Sequence, residues 1–132
     1  MVRLLLITLL ILLCRGPAYA EWTELGYAEA KGDSTVYADR DTILRKGNLA
    51  KMWVLWDYKT VQRIEENSFF SRRVQHQFDC AEGLWRVLAF TWFSGNMEKG
   101  NVLINNSVEG TWAPVSPRSI VQTMWKVACA KK

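Results

Sequence analysis

The segment FFSRRVQHQFDCAEGLWRVLAFTWF, residues 69–93, carries the clearest structural signal in this sequence. In its first half the even positions Phe70, Val74 and Phe78 are apolar, whereas the odd positions are mostly polar. A period of two is typical of a β-strand with one face toward water. The second half, which follows the turn-forming AEG at 81–83, is apolar at both parities. The segment therefore predicts a hairpin whose second strand is central in a sheet and covered on both faces.

Strict alternation divides the large side chains of that second strand between the two faces of the sheet. One face would take Leu88, Phe90 and Trp92, and the other would take Trp85, Val87 and Phe93. The run KMWVLWDY, residues 51–58, is apolar on both faces in a similar way.

Apolar runs recur along the rest of the chain, separated by turn-forming residues such as KGD at 31–33 and RKGN at 45–48. This spacing predicts a meandering antiparallel sheet. The predicted strands are Trp22 to Glu29, Thr35 to Asp39, Leu49 to Tyr58, Phe69 to Cys80, Leu84 to Phe93 and Val102 to Val108. The predicted fold class is α+β, a single antiparallel β-sheet of about six strands packed against a C-terminal α-helix.

The segment SPRSIVQTMWKVACAKK, residues 116–132, supplies that helix. Ser116 suits the N-cap and Pro117 suits the first helical position. Five apolar residues then fall on one stripe of a helix, namely Ile120, Val121, Met124, Trp125 and Ala128. We therefore expect the helix to lie on the sheet through this stripe.

The start of the chain predicts export. Arg3 precedes an apolar block at 4–13, and small residues lead to Ala20. This pattern is typical of a secretory signal peptide with an A-x-A cleavage site. We therefore expect residues 1–20 to be removed, leaving one domain at 21–132.

The apolar block at 4–13 is shorter than the roughly 20 residues that span a bilayer, so we expect no membrane span after cleavage. The alternative is a lipoprotein acylated on Cys14. The bulky Leu12 and Leu13 stand before that cysteine, where the processing peptidase requires a small residue, and they disfavour this alternative.

The exported chain carries little net charge. Cleavage leaves 132 − 20 = 112 residues and removes Arg3 and Arg15, so 15 basic and 13 acidic residues give +2. The charges alternate in sign, and no basic run forms a stripe that would neutralise many phosphates. The composition therefore argues against binding to nucleic acid.

Two cysteines remain after export, Cys80 and Cys129. An even pair in a small exported domain predicts one disulfide, here between the end of a strand and the end of the helix. A metal site or redox pair is disfavoured, because the cysteines are far apart in sequence and His76 is the only histidine.

Catalysis by a serine or cysteine nucleophile would also depend on His76 as the base. His76 lies in a predicted strand. This position favours a structural role, as a half-buried side chain bonded to a neighbour, over a role as a general base or haem ligand. We therefore predict no catalytic residues, no metal and no cofactor.

Seven tryptophans in so short a chain are unusual, and tryptophan is enriched both in cores and at binding hot spots. One helix covers only one face of a sheet that is apolar on both. We expect the other face to meet a protein partner or a second copy of the chain, a small ligand, or loops. The candidate binding face consists of Trp56, Trp92, Arg72, Arg73 and His76.

The order of the residues also resembles the surface-adhesin protein E family of exported bacterial proteins. The residues that carry the resemblance are Trp22, VYADRDTILRKG at 36–47, MWVLWD at 52–57, Ser68, Asp79 with Cys80, Arg86, FSGNMEKG at 93–100, WAPVSPRS at 112–119 and Cys129.

The resemblance implies an antiparallel sheet packed with a C-terminal helix, two joined cysteines and, in the founding member, an adhesin that holds host proteins at the bacterial surface. It supplies no catalytic residues. The poor fit around Cys14 to a lipid-anchor signal leaves the periplasm and the outer cell surface of a Gram-negative-type bacterium as equal alternatives. The first functional hypothesis is thus an exported, non-catalytic, adhesin-like module that recognises protein partners. The second is a soluble periplasmic structural or regulatory protein that docks on an envelope partner.

Overall fold

The structure is a computed structural model that describes residues 21–29 and 33–130. The predicted signal peptide at 1–20 lies outside the described residues. Within the described ranges no helix is long and apolar enough to cross a membrane. The elements in chain order are β1 Trp22–Ala28, β2 Ser34–Lys46, β3 Leu49–Ile64, β4 Asn67–Asp79, β5 Leu84–Phe93, β6 Val102–Ser107, β7 Ala113–Pro114 and α1 Ile120–Cys129.

The strands form one antiparallel sheet in which β1 to β6 are neighbours in sequence order. The short β7 pairs with the first residues of β5, where Trp85 lies opposite Ala113. The predicted α+β class, with a single sheet and a C-terminal helix, is therefore confirmed.

Two strands are longer than the alternation predicts. β2 was expected to end at Asp39 and β3 at Tyr58, but both continue to the next turn. The register between β2 and β3 shifts between Asp39 and Leu44, and the register between β3 and β4 shifts between Asp57 and Gln62. Such irregularities break the alternation while the backbone pairing resumes beyond them. The result is a long β3–β4 hairpin.

The predicted division of β5 side chains between two faces is wrong for Trp85 and Val87. Gln75 of β4 lies opposite Ala89, but the next residue, His76, lies opposite Val87. Leu88 is therefore an extra residue, and a bulge of this kind reverses the alternation. Because residues directly opposite each other share a face, Trp85 and Val87 point to the same side as the two aromatic residues Phe90 and Trp92.

The predicted start of the helix is also wrong. The N-cap is Ser119, whose Oγ accepts a hydrogen bond from the amide of Gln122 at 3.1 Å. Ser116 instead accepts, through its carbonyl, a hydrogen bond from the hydroxyl of Ser119 at 2.6 Å. Arg118 has a φ of 57°, which a helix does not tolerate, so the helix begins only after it.

The helix packs on β1 to β4, and we call the side of the sheet on which it lies the helix face and the opposite side the far face. Its stripe closes a core of fully buried side chains, which are Val36, Ala38, Ala50, Met52, Val54, Phe78, Met124 and Ala128. The predicted disulfide joins Cys80 and Cys129, with Cα atoms 5.6 Å apart. The indole of Trp125 donates to the carbonyl of Asp79 at 3.3 Å beside it. The last turn of the helix is thus tied to the end of β4.

Candidate functional site

The helix covers only part of the helix face. On β3, β4 and β5 it leaves a group of aromatic residues around one arginine, all of them half-buried except Phe69, which is buried. We call this group the open patch, and its members are Trp56, Phe69, Arg72, Phe90 and Trp92.

Arg72 lies between two tryptophans at the middle of the open patch. It is directly opposite Trp56 on β3 and directly opposite Trp92 on β5. Its guanidinium carbon lies 4.8 Å from the ring centroid of Trp56, which is a cation–π contact. Stacking on an aromatic ring fixes the plane of a guanidinium while leaving its N–H groups free to bond.

The other aromatic rings continue this surface. Phe69 stacks on Trp92, with centroids 4.9 Å apart and planes 22° apart. Phe90 meets Trp92 at 5.9 Å, and Tyr58 meets Phe69 edge to face at 5.7 Å. These contacts hold the rings in defined positions, so the open patch is a built surface rather than a set of loose side chains.

A cavity of about 430 Å³ opens between the open patch and the start of the helix. Its volume falls in the range of small-ligand sites in proteins. The β3–β4 hairpin forms one wall and Ile120 of the helix forms another. The lining residues that matter for its chemistry are Trp56, Tyr58, Arg63, Phe69, Arg72 and Ile120.

Arg72 has no acidic partner in the part of the chain that the structure describes. All 13 acidic residues of the sequence lie at 21–109, within the described ranges. Among the described residues the ion pairs are Arg73 with Glu98 and Arg86 with Glu109, and the side chain of Arg72 makes no hydrogen bond there. The Nε of Arg72 and the indole Nε1 of Trp56 are both shielded from solvent without a hydrogen-bond partner there. The cavity wall thus carries more hydrogen-bond donors than acceptors.

Arg73, which was predicted to share a face with Arg72, lies on the far face. Its guanidinium carbon is 5.3 Å from the ring of Trp53 and 5.7 Å from that of Phe93. Its Nη1 lies 3.5 Å from a carboxylate oxygen of Glu98. The structure therefore separates Arg73 from Trp56, Arg72 and Trp92, which lie together on the helix face. The expectation that the candidate binding face lies opposite the helix is wrong, because these three side chains share the parity of the core residues on their strands.

His76 lies on the helix face but in the interior, with 3% of its surface exposed. Its ring stacks on Phe78 at 5.9 Å and meets Trp85 at 5.6 Å with the planes tilted by 47°. Neither ring nitrogen has a hydrogen-bond partner in the described residues. Burial, followed by the positive charge of Arg72, lowers the pKa of His76 from 6.5 to about 3. The expectation that His76 is half-buried and bonded to a neighbour is wrong, and its ring is held away from any ligand.

The loop at 94–100 folds back against the far face. Ser71 Oγ donates to the carbonyl of Gly95 at 2.6 Å and accepts from the amide of Glu98 at 3.1 Å. Asp57 accepts from the side chain of Asn96 and from the amide of Met97. Part of the far face is therefore covered by a loop of the chain itself. Coverage by loops was one of the alternatives that the sequence left open for the face opposite the helix.

Sequence reasoning missed Tyr58, Arg63 and Phe69 as parts of the site. Phe69 precedes the alternating part of β4, and Arg63 lies beyond the predicted end of β3. These three residues belong to the long β3–β4 hairpin. The apolar residues Val61 and Ile64 of this hairpin remain exposed at 41% and 45%, which indicates that its surface is available to bind.

The sequence profile of surface-adhesin protein E matches residues 22–130. Among solved structures, crystal form II of Haemophilus influenzae protein E is similar, with a TM-score of 0.63 at 10% identity over 86% of this chain and 92% of that chain. Protein E from non-typeable Haemophilus influenzae gives a TM-score of 0.61 at 10% identity, over 86% of this chain and 78% of that chain. No curated protein sequence matches this chain significantly. At such low identity the structural likeness establishes the fold alone.

Proposed function

The chain belongs to the surface-adhesin protein E family, and on that premise we propose that it is an exported, non-catalytic module that binds protein partners through the open patch. The observation that carries this proposal is a fixed aromatic surface around an arginine without an ion-pair partner at 21–29 or 33–130, next to a core that the helix has closed. Tryptophan and arginine are the residues most enriched among binding hot spots.

The position of His76 supports a non-catalytic role. It is the only histidine of the chain, and its ring is enclosed by Phe78 and Trp85. A general base must reach the proton that it removes, and His76 does not reach the surface.

The proposal is tested by adhesion of intact cells that carry the full chain to a surface coated with host extracellular proteins. Trp56→Ala should reduce adhesion at least tenfold, because it removes the ring that holds Arg72. Trp112→Ala is the matched control, since that half-buried tryptophan holds Arg86 at 4.3 Å through a similar contact outside the open patch. Equal adhesion by the two variants contradicts the proposal.

Location distinguishes the adhesin from the second candidate, a periplasmic protein that docks on an envelope partner. Protease treatment of intact cells should release the domain at 21–132 if it is displayed on the outer surface, and should leave it intact if it is periplasmic.

Sedimentation of the purified protein tests a third arrangement, in which two copies associate through the open patch. That arrangement requires a dimer that Trp56→Ala dissociates and Trp112→Ala leaves intact.

A further inference from the structure

We propose that the cavity beside Arg72 is a binding site for an organic carboxylate attached to an apolar group. This inference rests on the proposed function, since it names the chemistry that the open patch recognises. Three observations carry it: the unpaired guanidinium, the aromatic walls, and the size of the cavity.

The charge of the cavity favours an anion. Arg72 contributes a guanidinium that no carboxylate of the described residues neutralises, and Arg63 adds a second positive charge at the exposed rim. A partly buried cation without a counter-ion loses hydration that nothing in the described residues replaces. An incoming anion would supply the missing acceptor.

The geometry favours a carboxylate in particular. The planar fork of a guanidinium matches the two oxygens of a carboxylate, and paired N–H to oxygen bonds of this kind are among the strongest in proteins. Trp56 stacks on one face of the guanidinium and so fixes the plane in which these bonds would form. The terminal amino groups of Arg72 are the donors available for them, because its Nε is shielded from solvent.

The remaining walls favour an apolar body on that carboxylate. Trp56, Ile64 and Ile120 line the cavity with apolar surface that the fold leaves partly exposed, and the buried Tyr58 and Phe69 lie behind it. A small hydrophilic anion would leave these walls in contact with water, whereas an aromatic or branched side chain would cover them. The volume of about 430 Å³ accommodates one such side chain together with its carboxylate.

Calorimetry on the protein purified from the cell envelope tests the site. The probe is N-acetyl-phenylalanine, which carries a free carboxylate, and the control is N-acetyl-phenylalaninamide, which has the same apolar body and no charge. The acid should bind saturably and at least tenfold more tightly than the amide. Equal binding of acid and amide, or no saturable binding of the acid, overturns the inference without any variant being needed.

Two variants assign the preference to Arg72. Arg72→Gln should abolish the preference for the acid, and Arg72→Lys should weaken it, because a lysine keeps the charge but lacks the planar fork. Arg40→Gln removes the same charge from an exposed position outside the cavity and should leave both affinities unchanged. An acid preference that survives in Arg72→Gln, or that is lost equally in Arg40→Gln, contradicts the proposed site.

A short peptide ending in phenylalanine, with a free or an amidated C-terminus, distinguishes the two sources of such a carboxylate. Tight binding of the free-acid peptide shows that chain termini enter the cavity. Binding of the small acid without binding of the peptide shows that only small free acids enter it.

The adhesion experiment tests the proposed function separately from this inference. If Trp56→Ala abolishes adhesion while acid and amide bind alike, this inference fails and the proposed function stands. If the acid is preferred while Trp56→Ala cells adhere normally, the proposed function fails.

Discussion

The covered core and the open patch lie on the same face of the same sheet, and β3 and β4 contribute residues to both. In the covered core Met52 and Phe78 are completely buried beneath Met124 of the helix. In the open patch Trp56 and Arg72, on the same two strands, remain half-buried. The two regions therefore differ in what covers them rather than in how their strands are built.

The dimensions of the elements explain this difference. A helix of ten residues is about 15 Å long. β3 has 16 residues and β4 has 13, so at about 3.3 Å per residue these strands run for roughly 53 and 43 Å. One such helix cannot cover the whole face, and the disulfide at Cys129 fixes it toward the end of β4. The aromatic residues beyond its reach are the ones left to meet a ligand or a partner.

The largest change expected in this comparison comes from releasing the helix from the sheet. Replacing both Cys80 and Cys129 by serine removes a cross-link between residues 49 positions apart. The chain-entropy model assigns such a loop about 4 kcal/mol. Urea denaturation should show this loss of unfolding free energy. A reductant should destabilise the wild type by the same amount and leave the double variant unaffected, and insensitivity of the wild type would contradict the assignment.

A loss of comparable size is expected from emptying part of the covered core. Met124→Ala removes a completely buried side chain while keeping a residue that favours the helix, so the unfolding free energy should fall by about 2–5 kcal/mol. Val102→Ala, on a β6 residue that is 58% exposed, is the control and should change it by less than about 0.5 kcal/mol. Thermal or urea unfolding measures both variants. A similar loss of unfolding free energy in Met124→Ala and Val102→Ala would show that the helix does not seal this side of the sheet.

The pH dependence of stability tests the buried histidine at the boundary between the two regions. In the folded protein burial and, second, Arg72 lower the pKa of His76 to about 3, whereas in the unfolded chain it is near 6.5. The unfolded state therefore binds the proton first. Stability is fully present above about pH 6.5 and is lost as the pH falls toward 3, by up to about 1.4 kcal/mol per pH unit.

The matched variant for this measurement is His76→Leu. Urea unfolding of wild type and variant between pH 7 and pH 4 should give curves that diverge as the pH falls, with the wild type losing more stability. Parallel curves would mean that His76 accepts a proton in the folded state.

The smallest effect is expected at the ion pair that distinguishes Arg73 from Arg72. Glu98 lies 3.5 Å from Arg73, and the two side chains are 23% and 39% exposed. Glu98→Gln should therefore lower the unfolding free energy by less than about 1 kcal/mol, and the difference should shrink as salt is added. A larger, salt-independent loss would show that the pair is needed to hold the loop at 94–100.

Much of the architecture could be predicted from local patterns in the sequence. Alternation and turn residues located the six main strands and gave β5 its observed bounds. The stripe from Ile120 to Ala128 identified the helix and the side that it buries. Export together with an even cysteine count predicted the disulfide between Cys80 and Cys129. Each of these features depends on a repeat of 2 or 3.6 residues or on a count, which neighbouring residues alone can supply.

The candidate site was accessible only in part. The sequence placed Trp56, Trp92 and Arg72 on a binding face opposite the helix, and the structure brings these three together but on the helix face. It also placed Arg73 there, although adjacent strand residues point to opposite faces. The cavity could not be predicted, because Phe69 and Arg63 reach it through a register shift that the alternation conceals.

The sequence alone thus determined the number and order of the main strands, the presence of the helix and the cysteine pair, since local periodicity and turn residues mark these features, whereas the ends of β2 and β3 and the start of the helix were not determined by it. Tertiary structure decided the rest. It set the bulge at Leu88, the start of the helix after Arg118, and the return of the loop at 94–100 to Asp57, about 40 residues away in sequence. These features depend on contacts between residues distant along the chain, whose free energy is gained only when the whole sheet is assembled. The limited reach of a ten-residue helix then decided which aromatic residues were buried and which remained available to bind.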